Sequence, residues 1–346
     1  MEPGSSVLAI LSNHDPRAWT GSACDGGANA TCNLRLFEAA IARGAAAGAG
    51  AVLFPEGYAL SPDFGTEPWI SPAGATPCAA ARTTQGDSPL QSGLACAARR
   101  QRVAVVANVL VRMGGGEKQI REVVIDAAGA VVSSYGKRHL FPSERWPLGF
   151  SPSSDAPTVA PLLGGRVGLL ICYEGVYPEL SGDWSQVDGP PTRAGLAALD
   201  SGSGSQTWET RGATHAKPPH ATACRGARRE AEARLPSPQV DGLRRDGAQA
   251  LLWSIGSHLP VDAGAARLAR RTGLPVLASA DGAAAHAVAA TGAPLPPSRS
   301  VALRGAVAGY VGNASLRLWP LPAAPLRRGA QDMRRVWTRA PELTAS

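Results

Sequence analysis

The alternation of short apolar runs with amphipathic segments constrains the fold of this chain more than any other feature. Val7–Leu11 and Ala51–Phe54 are apolar runs of strand length. Between them lies a segment with apolar residues at helical spacing, and Asn33 is predicted to cap this helix. A strand, a helix and a second strand in this order are typical of sheets covered by helices. The sequence therefore predicts an α/β fold.

The same alternation returns further along the chain, but the middle breaks it. Residues 181–239 lack core periodicity, which predicts an exposed insertion of low complexity. We expect one domain over residues 5–318, interrupted by this insertion, and an Arg- and Pro-rich tail over 319–346. The other predicted elements are helices at Leu94–Gln101 and Ala263–Arg271, and strands at Val103–Val111, Val123–Ile125, Val131–Val132, Arg166–Ile171, Ala248–Trp253, Pro275–Ala280, Val301–Val311 and Ala314–Leu318.

Composition and charge exclude several classes of function. The net charge of +7 is spread along the chain, and no basic block carries interleaved aromatic residues, which argues against nucleic-acid binding. No apolar run approaches the ~20 residues that cross a bilayer. The N-terminus lacks the pattern of a signal peptide, so we expect a soluble, cytoplasmic protein, or a secreted one if the N-terminus is incomplete.

The cysteines and sequons leave the compartment open. None of the six cysteines forms a C-x-x-C pair, but Cys24 and Cys32 are close enough to bridge across a loop. Sequons at Asn29 and Asn313 would suit a secreted protein. Such motifs also arise by chance, so they do not decide between the two compartments.

One cysteine stands where a buried strand stops. The apolar run ending at Ile171 passes directly into Cys172, and the residues after it are polar or turn-forming. A thiol on such a bend lies at the rim of a sheet, where backbone N–H groups converge. Cysteine is also a common core residue, so a reactive Cys172 requires charged groups around it.

Two charged residues occupy equivalent positions at other strand ends. Glu56 follows the Ala51–Phe54 strand, and Lys137 follows the strand that begins at Val131. Because ligands bind at the carboxyl ends of strands in α/β sheets, these residues and Cys172 are predicted to meet. A carboxylate can take the thiol proton, and an ammonium group favours thiolate and stabilises an oxyanion. The N–H of Tyr173 would complete an oxyanion hole.

The chain resembles the nitrilase superfamily of carbon–nitrogen hydrolases, whose signature is an ordered Glu, Lys and Cys triad. The resemblance covers about residues 5–180 and, more loosely, 240–318. The three matching stretches are Phe54-Pro55-Glu56-Gly57, Tyr135-Gly136-Lys137-Arg138-His139-Leu140-Phe141-Pro142, and Ile171-Cys172-Tyr173-Glu174 followed by Pro178-Glu179-Leu180.

This resemblance implies a four-layer α-β-β-α sandwich, paired into homodimers through its outer helices, and an acyl-enzyme mechanism without a metal or organic cofactor. Glu56 would act as general base and acid, Lys137 would stabilise the tetrahedral intermediate, and Cys172 would form the thioester. Glu144 matches a second glutamate that positions substrate or lysine, with Tyr173 and Glu174 in support. The expected substrate is a small linear amide, and which amide or nitrile is accepted stays open.

Other interpretations remain beside the hydrolase. The Lys137–Glu144 stretch and the cysteine motif also resemble apolipoprotein N-acyltransferases, and features near Glu56 resemble biotinidases and pantetheinases. An inactive member acting as a binding or scaffold protein is the rival outside enzymes. A metal site at His215, His220 and Cys224 lacks a fourth ligand at suitable spacing. The Gly-rich turn at 114–118 lacks the spacing of a nucleotide-binding loop.

Overall fold

A computed structural model describes residues 7–12, 14–15, 18, 29–69, 78, 88–175, 238–256, 261–303, 306–308 and 310–320. Its helices are α1 (Ala30–Ala46), α2 (Pro89–Gln101), α3 (Pro142–Arg145), α4 (Pro238–Arg245) and α5 (Val261–Thr272). Its strands are β1 (Val7–Ser12), β2 (Ala51–Leu53), β3 (Glu67–Pro68), β4 (Ala104–Arg112), β5 (Lys118–Ile125), β6 (Val131–Gly136), β7 (Val159–Leu162), β8 (Gly165–Ile171), β9 (Ala250–Ile255), β10 (Val276–Ala280), β11 (His286–Val288), β12 (Arg299–Ala302) and β13 (Ser315–Pro320).

The described strands form two mixed sheets. The first has the order β12-β13-β1-β2-β4-β5-β6, with β3 beside β4, and the second has the order β11-β10-β9-β8-β7. Parallel pairs lie at the centre of each sheet: β1 with β2 and β2 with β4 in the first, β8 with β9 and β9 with β10 in the second. Because β5 runs antiparallel to both β4 and β6, the strands β2, β4 and β6 end on the same side of the first sheet.

Two hydrophobic cores define the layers. One contains the inward side chains of both sheets, such as Ile10, Leu170 and Trp253, and continues to α4 and α5. The other contains the opposite face of the first sheet and the apolar faces of α1 and α2, such as Phe37 and Leu94. Sheet residues alternate between these cores, as the period of two requires. The fold is the predicted α/β sandwich, with helices covering both sheets.

The predicted helix and strand bounds needed several corrections. Asn33 does not cap α1: the helix begins earlier, Asn29 accepts the Cys32 N–H at 3.0 Å, and Asn33 is buried within the helix. The long strand predicted from Val301 stops at Ala302. The short elements β3, β7, β11 and α3 were not predicted, because two to four residues show no measurable periodicity.

The predicted insertion, residues 181–239, lies outside the described residues except for its end, where Pro238 and Gln239 begin α4. The described residues on both sides of this gap belong to one compact unit. The tail predicted from residue 319 includes the last two residues of β13, and the rest lies outside the described part of the chain. The insertion itself stays a prediction.

Candidate active site

The three strand ends that the sequence singles out meet at one place. Glu56 follows β2 and Lys137 follows β6 of the first sheet, whereas Cys172 follows β8 of the second. The side chains are buried, with 0%, 1% and 6% of their surface exposed. The Glu56 N–H points at the Ile255 carbonyl of β9 at 3.5 Å, so the two sheets approach each other here.

Lys137 lies between two carboxylates. Its Nζ donates to Glu56 Oε1 at 2.7 Å and to Glu144 Oε1 at 2.5 Å. The other oxygen of Glu144 accepts the Phe141 N–H at 2.7 Å, which holds that carboxylate at the start of α3. Burial alone would lower the pKa of Lys137, but Glu144 and Glu56 outweigh it and leave this pKa raised. Lys137 is therefore an ammonium ion held in place by both carboxylates.

Glu56 keeps one oxygen available. Its Oε1 accepts from Lys137, and its Oε2 is buried without a hydrogen-bond partner among the described residues. Burial raises the pKa of Glu56 to about 7, against the lowering effect of Lys137, and Cys172 also contributes to the lowering. A carboxyl group with such a pKa can accept or release a proton near neutral pH.

The bend at Cys172 is conformationally strained and held from two sides. Cys172 has a φ of 45°, in the left-handed region that non-glycine residues seldom adopt. Its carbonyl accepts the indole N–H of Trp253 at 2.7 Å. A Cβ at Gly175, at the end of the same turn, would overlap the indole ring. The close packing of Trp253 thus maintains the bend that exposes the sulfur to Glu56 and Lys137.

The thiol is protonated in the resting site, contrary to the expected thiolate. Burial is the largest effect on the pKa of Cys172 and raises it, and Glu56 adds to this rise. Lys137 lowers the pKa only in part, because two carboxylates share its positive charge. Attack by this sulfur therefore requires a base that removes its proton.

Glu174 anchors the backbone around the site. Its Oε1 accepts from the Tyr135 hydroxyl and the Arg138 N–H, both at 2.7 Å, and from the His139 N–H at 3.3 Å. Its Oε2 accepts the Ile171 N–H at 3.0 Å. Glu174 therefore connects the segment after Lys137 to the strand before Cys172, and both of its oxygens are occupied by protein donors.

The neighbouring Tyr173 is buried, and its ring meets that of Phe141 edge-on at 5.7 Å. The structure thus brings all six predicted site residues into one region. Glu56, Lys137, Glu144 and Cys172 interact directly, while Tyr173 and Glu174 belong to the turn that carries Cys172.

Gly256, which follows β9, is a site residue that the sequence analysis did not single out. Its backbone interacts with the Cys172 sulfur through its N–H. A Cβ at this position would overlap Glu56 Oε2 and lie 2.8 Å from Tyr58 Cδ2. No sequence motif marks Gly256, because its importance comes from packing against Glu56, which lies 200 positions earlier in the chain (256 against 56).

The sequence did not indicate the disulfide Cys78–Cys96, whose Cα atoms are 4.7 Å apart. Cys32 is also disulfide-bonded, and its predicted partner Cys24 lies outside the described residues. Among the described cysteines, Cys172 is the free one.

The described residues carry neither a metal-binding cluster nor a membrane-spanning helix. The part of the chain that the structure describes contains no group of three His, Cys, Asp or Glu side chains placed to hold a metal. His215, His220 and Cys224, for which the sequence offers no suitably spaced fourth ligand, lie outside it. None of the described helices has the length and apolar character to cross a membrane.

Comparisons with known proteins identify one matching family and several similar structures. Residues 26–186 match the carbon–nitrogen hydrolase family. A search of curated protein sequences finds no match. Solved structures similar to the chain include an amidase from Nesterenkonia sp., with a TM-score of 0.53, 19% identity and coverage of 97% of each chain.

Two further similar structures are mutants of the amidase from Nesterenkonia sp. AN1. A double mutant in complex with acrylamide has 17% identity, a TM-score of 0.53, and coverage of 97% of this chain and 98% of the amidase. Another shows covalent addition of the acetamide moiety of fluoroacetamide at the active-site cysteine, with 18% identity, a TM-score of 0.53, and coverage of 96% and 98%. At these identities the similarity establishes a shared fold.

Proposed function

We propose that this chain, which matches the carbon–nitrogen hydrolase family over residues 26–186, is a nitrilase-type enzyme that hydrolyses a linear, non-peptide amide through a thioester on Cys172. The observation that carries the proposal is the Lys137 ammonium held between Glu56 and Glu144 beside a strained, protonated cysteine. This arrangement supplies a nucleophile, a base with a free oxygen and a fixed positive charge.

In the first half-reaction, the Cys172 sulfur attacks the amide carbonyl carbon while its proton passes to Glu56 Oε2. The carbonyl oxygen gains negative charge, which Lys137 and the Tyr173 N–H stabilise. Glu56 then protonates the leaving nitrogen as the C–N bond breaks, and ammonia or an amine departs. Glu144 keeps Lys137 oriented throughout.

In the second half-reaction, water attacks the thioester and gives a proton to Glu56. The tetrahedral intermediate collapses, the C–S bond breaks, and the proton on Glu56 returns to the sulfur. The acid leaves and the resting thiol is restored. Because Glu56 must be ionised to accept the first proton, activity should rise with pH through about 7, the pKa of Glu56.

Intact-protein mass spectrometry with a panel of small amides tests this mechanism. The parent should accumulate an acyl adduct on Cys172 with an amide that deacylates slowly. Glu56→Gln should form this adduct far more slowly, because the thiol proton then has no acceptor, and Cys172→Ala should form none. Adducts confined to other cysteines, or unchanged amide turnover in Cys172→Ala, would reject the hydrolase. An adduct that decays only when an amine is added would instead favour the acyltransferase.

A further inference from the structure

A buried acid that the mechanism leaves unused lies between the two sheets. Glu122 is on β5, 1% exposed, directly opposite Asn108 of β4. Its Oε2 accepts the Asn108 Nδ2–H at 3.1 Å, and its Oε1 lies 2.7 Å from the Ser254 hydroxyl of β9. No Lys, Arg or His among the described residues forms an ion pair with it. An ionised carboxylate in such a place would be costly.

The hydrogen count around Ser254 decides the charge. Ser254 Oγ lies 2.7 Å from Glu122 Oε1 and 3.0 Å from the Phe54 carbonyl oxygen. A hydroxyl has a single proton, and both a carbonyl and an ionised carboxylate can only accept. Both contacts are satisfied when Glu122 carries a proton and donates it to Ser254 Oγ, which frees the hydroxyl to donate to Phe54. An ionised Glu122 would leave one buried acceptor unpaired.

The same network holds the segment around Glu56 at both ends. Ser254 holds the carbonyl of Phe54, two residues before Glu56. Asn108, oriented by Glu122, accepts the Gly57 N–H at 2.8 Å through Oδ1, one residue after Glu56. A Cβ on Gly57 would lie 2.7 Å from that same Oδ1, so the contact is sterically close as well.

We propose that Glu122 is a neutral carboxylic acid whose function is to position Glu56, acting through Ser254 and Asn108 without touching substrate. This assignment rests on the proposed role of Glu56 as the base. The carboxylates of Glu56 and Glu174 both act electrostatically on Glu122 and disfavour its ionisation. Burial, the largest effect, raises the pKa of Glu122 to about 8.

The test compares two substitutions of similar size. Glu122→Gln imitates the neutral acid, because its amide N–H can donate to Ser254 and its oxygen can accept from Asn108. Glu122→Met keeps the volume but removes both hydrogen bonds. We expect Glu122→Met to lower kcat at least ~10-fold with little change in KM, and Glu122→Gln to restore kcat to within ~3-fold of the parent.

The pH profile adds a readout that a merely structural role would not change. The parent should lose kcat as the pH rises through about 8, when Glu122 ionises and repels Glu56, and Glu122→Gln should keep its activity there. The assignment is wrong if Glu122→Gln is as impaired as Glu122→Met, if the alkaline loss persists in Glu122→Gln, or if Glu122→Met is fully active.

Infrared spectroscopy separates this assignment from the proposed function. Glu56 is itself partly protonated near neutral pH, so the measurement is made in a Glu56→Gln background. A carboxylic-acid C=O band that is present in Glu56→Gln and absent when Glu122→Gln is added demonstrates the Glu122 proton even if no amide is hydrolysed. Its absence from Glu56→Gln rejects the neutral acid, whatever the catalytic assays give. If the band is present but neither variant changes the rate of Cys172 acylation, the positioning role is rejected while the hydrolase stands.

Discussion

Different hydrogen-bond networks position Glu56 on the first sheet and Cys172 on the second. Around Glu56, on the first sheet, the support is the network of Glu122, Asn108 and Ser254, in which the acid must supply a proton. Around Cys172, on the second sheet, Glu174 receives four donors and has none to give. Both acids are buried, but the hydrogen-bond donors and acceptors around them differ.

This difference matters because Glu56 and Cys172 have different roles in the proposed mechanism. The base must change its protonation state in each cycle, and a neutral neighbour does not disturb its charge. The nucleophile needs a bend that stays strained, and a carboxylate with four donors holds backbone firmly. We therefore expect replacement by glutamine to be tolerated at Glu122 and damaging at Glu174.

The largest effect is expected from Glu174→Gln. The amide NH₂ would face N–H and O–H donors that now meet carboxylate oxygens, so at least one buried donor loses its partner. We expect a loss of about 3 kcal/mol or more in unfolding free energy and about 100-fold or more in kcat. Urea unfolding and amide turnover measure the two.

Glu117→Gln is the matched control, since that side chain is exposed on the turn after β4 and the substitution removes the same charge. A Glu174→Gln protein with parental stability and kcat would show that Glu174 is not the anchor its four contacts indicate.

Gly256→Ala, which adds a methyl group where the second sheet contacts Glu56, should have the next largest effect on kcat. Gly256→Ala places a Cβ against Glu56 Oε2 and Tyr58, so Glu56 must shift. A displacement of the catalytic carboxylate by about 1 Å lowers kcat by about 100-fold. We expect a smaller change in stability. Gly114→Ala is the control, because a Cβ there meets nothing within 4 Å. Equal rates for both variants would mean that the Glu56 oxygen has room to move.

The sequence predicted the residues of the site whose position at a strand end is visible locally. Glu56, Lys137 and Cys172 each interrupt an apolar run, so their meeting follows from the common direction of strands. Glu122 escaped notice because a polar residue inside a strand usually faces water. Its burial depends on the pairing of β5 with β4 and on the second sheet covering that face, neither of which is encoded nearby.

The same limit explains the other omissions. Trp253 and Gly256 act on Cys172 only because β9 pairs with β8, across a gap of about eighty residues (172 to 253). The strain at Cys172 lies in its backbone conformation, which cannot be predicted from its residue type. The disulfide Cys78–Cys96 likewise depends on tertiary approach, and cysteine spacing alone leaves many pairings open.

Removing the Cys78–Cys96 disulfide should lower the stability of the protein and leave the candidate active site unchanged. Cys78→Ser combined with Cys96→Ser removes a link across 18 residues, and a closed loop of this length is worth about 3 kcal/mol. We expect unfolding at a lower urea concentration while kcat at 25 °C stays within about 2-fold, the converse of Gly256→Ala. Urea titrations with and without reductant check this. If the parent is as stable with its disulfides reduced, the link contributes nothing.

The smallest effect tests the charge of Glu122 through stability alone. The folded protein keeps the Glu122 proton up to about pH 8, whereas an unfolded glutamate releases it near ~4.3. Between these values the folded state binds more protons, so Glu122 makes stability fall as pH rises through this window. Below ~4.3 both states are protonated, and above about 8 both are ionised, so the contribution is flat outside it.

Glu122→Gln cannot titrate and should therefore show a shallower fall in Tm between about pH 5 and pH 8 than the parent, whereas Glu117→Gln should follow the parent. The variant should also gain most over the parent at the alkaline end, where the parent carries an unpaired buried charge. Parallel Tm curves for Glu122→Gln and the parent would mean that Glu122 is already ionised at neutral pH. In that case the two sheets would hold their halves of the site with the same kind of charged anchor.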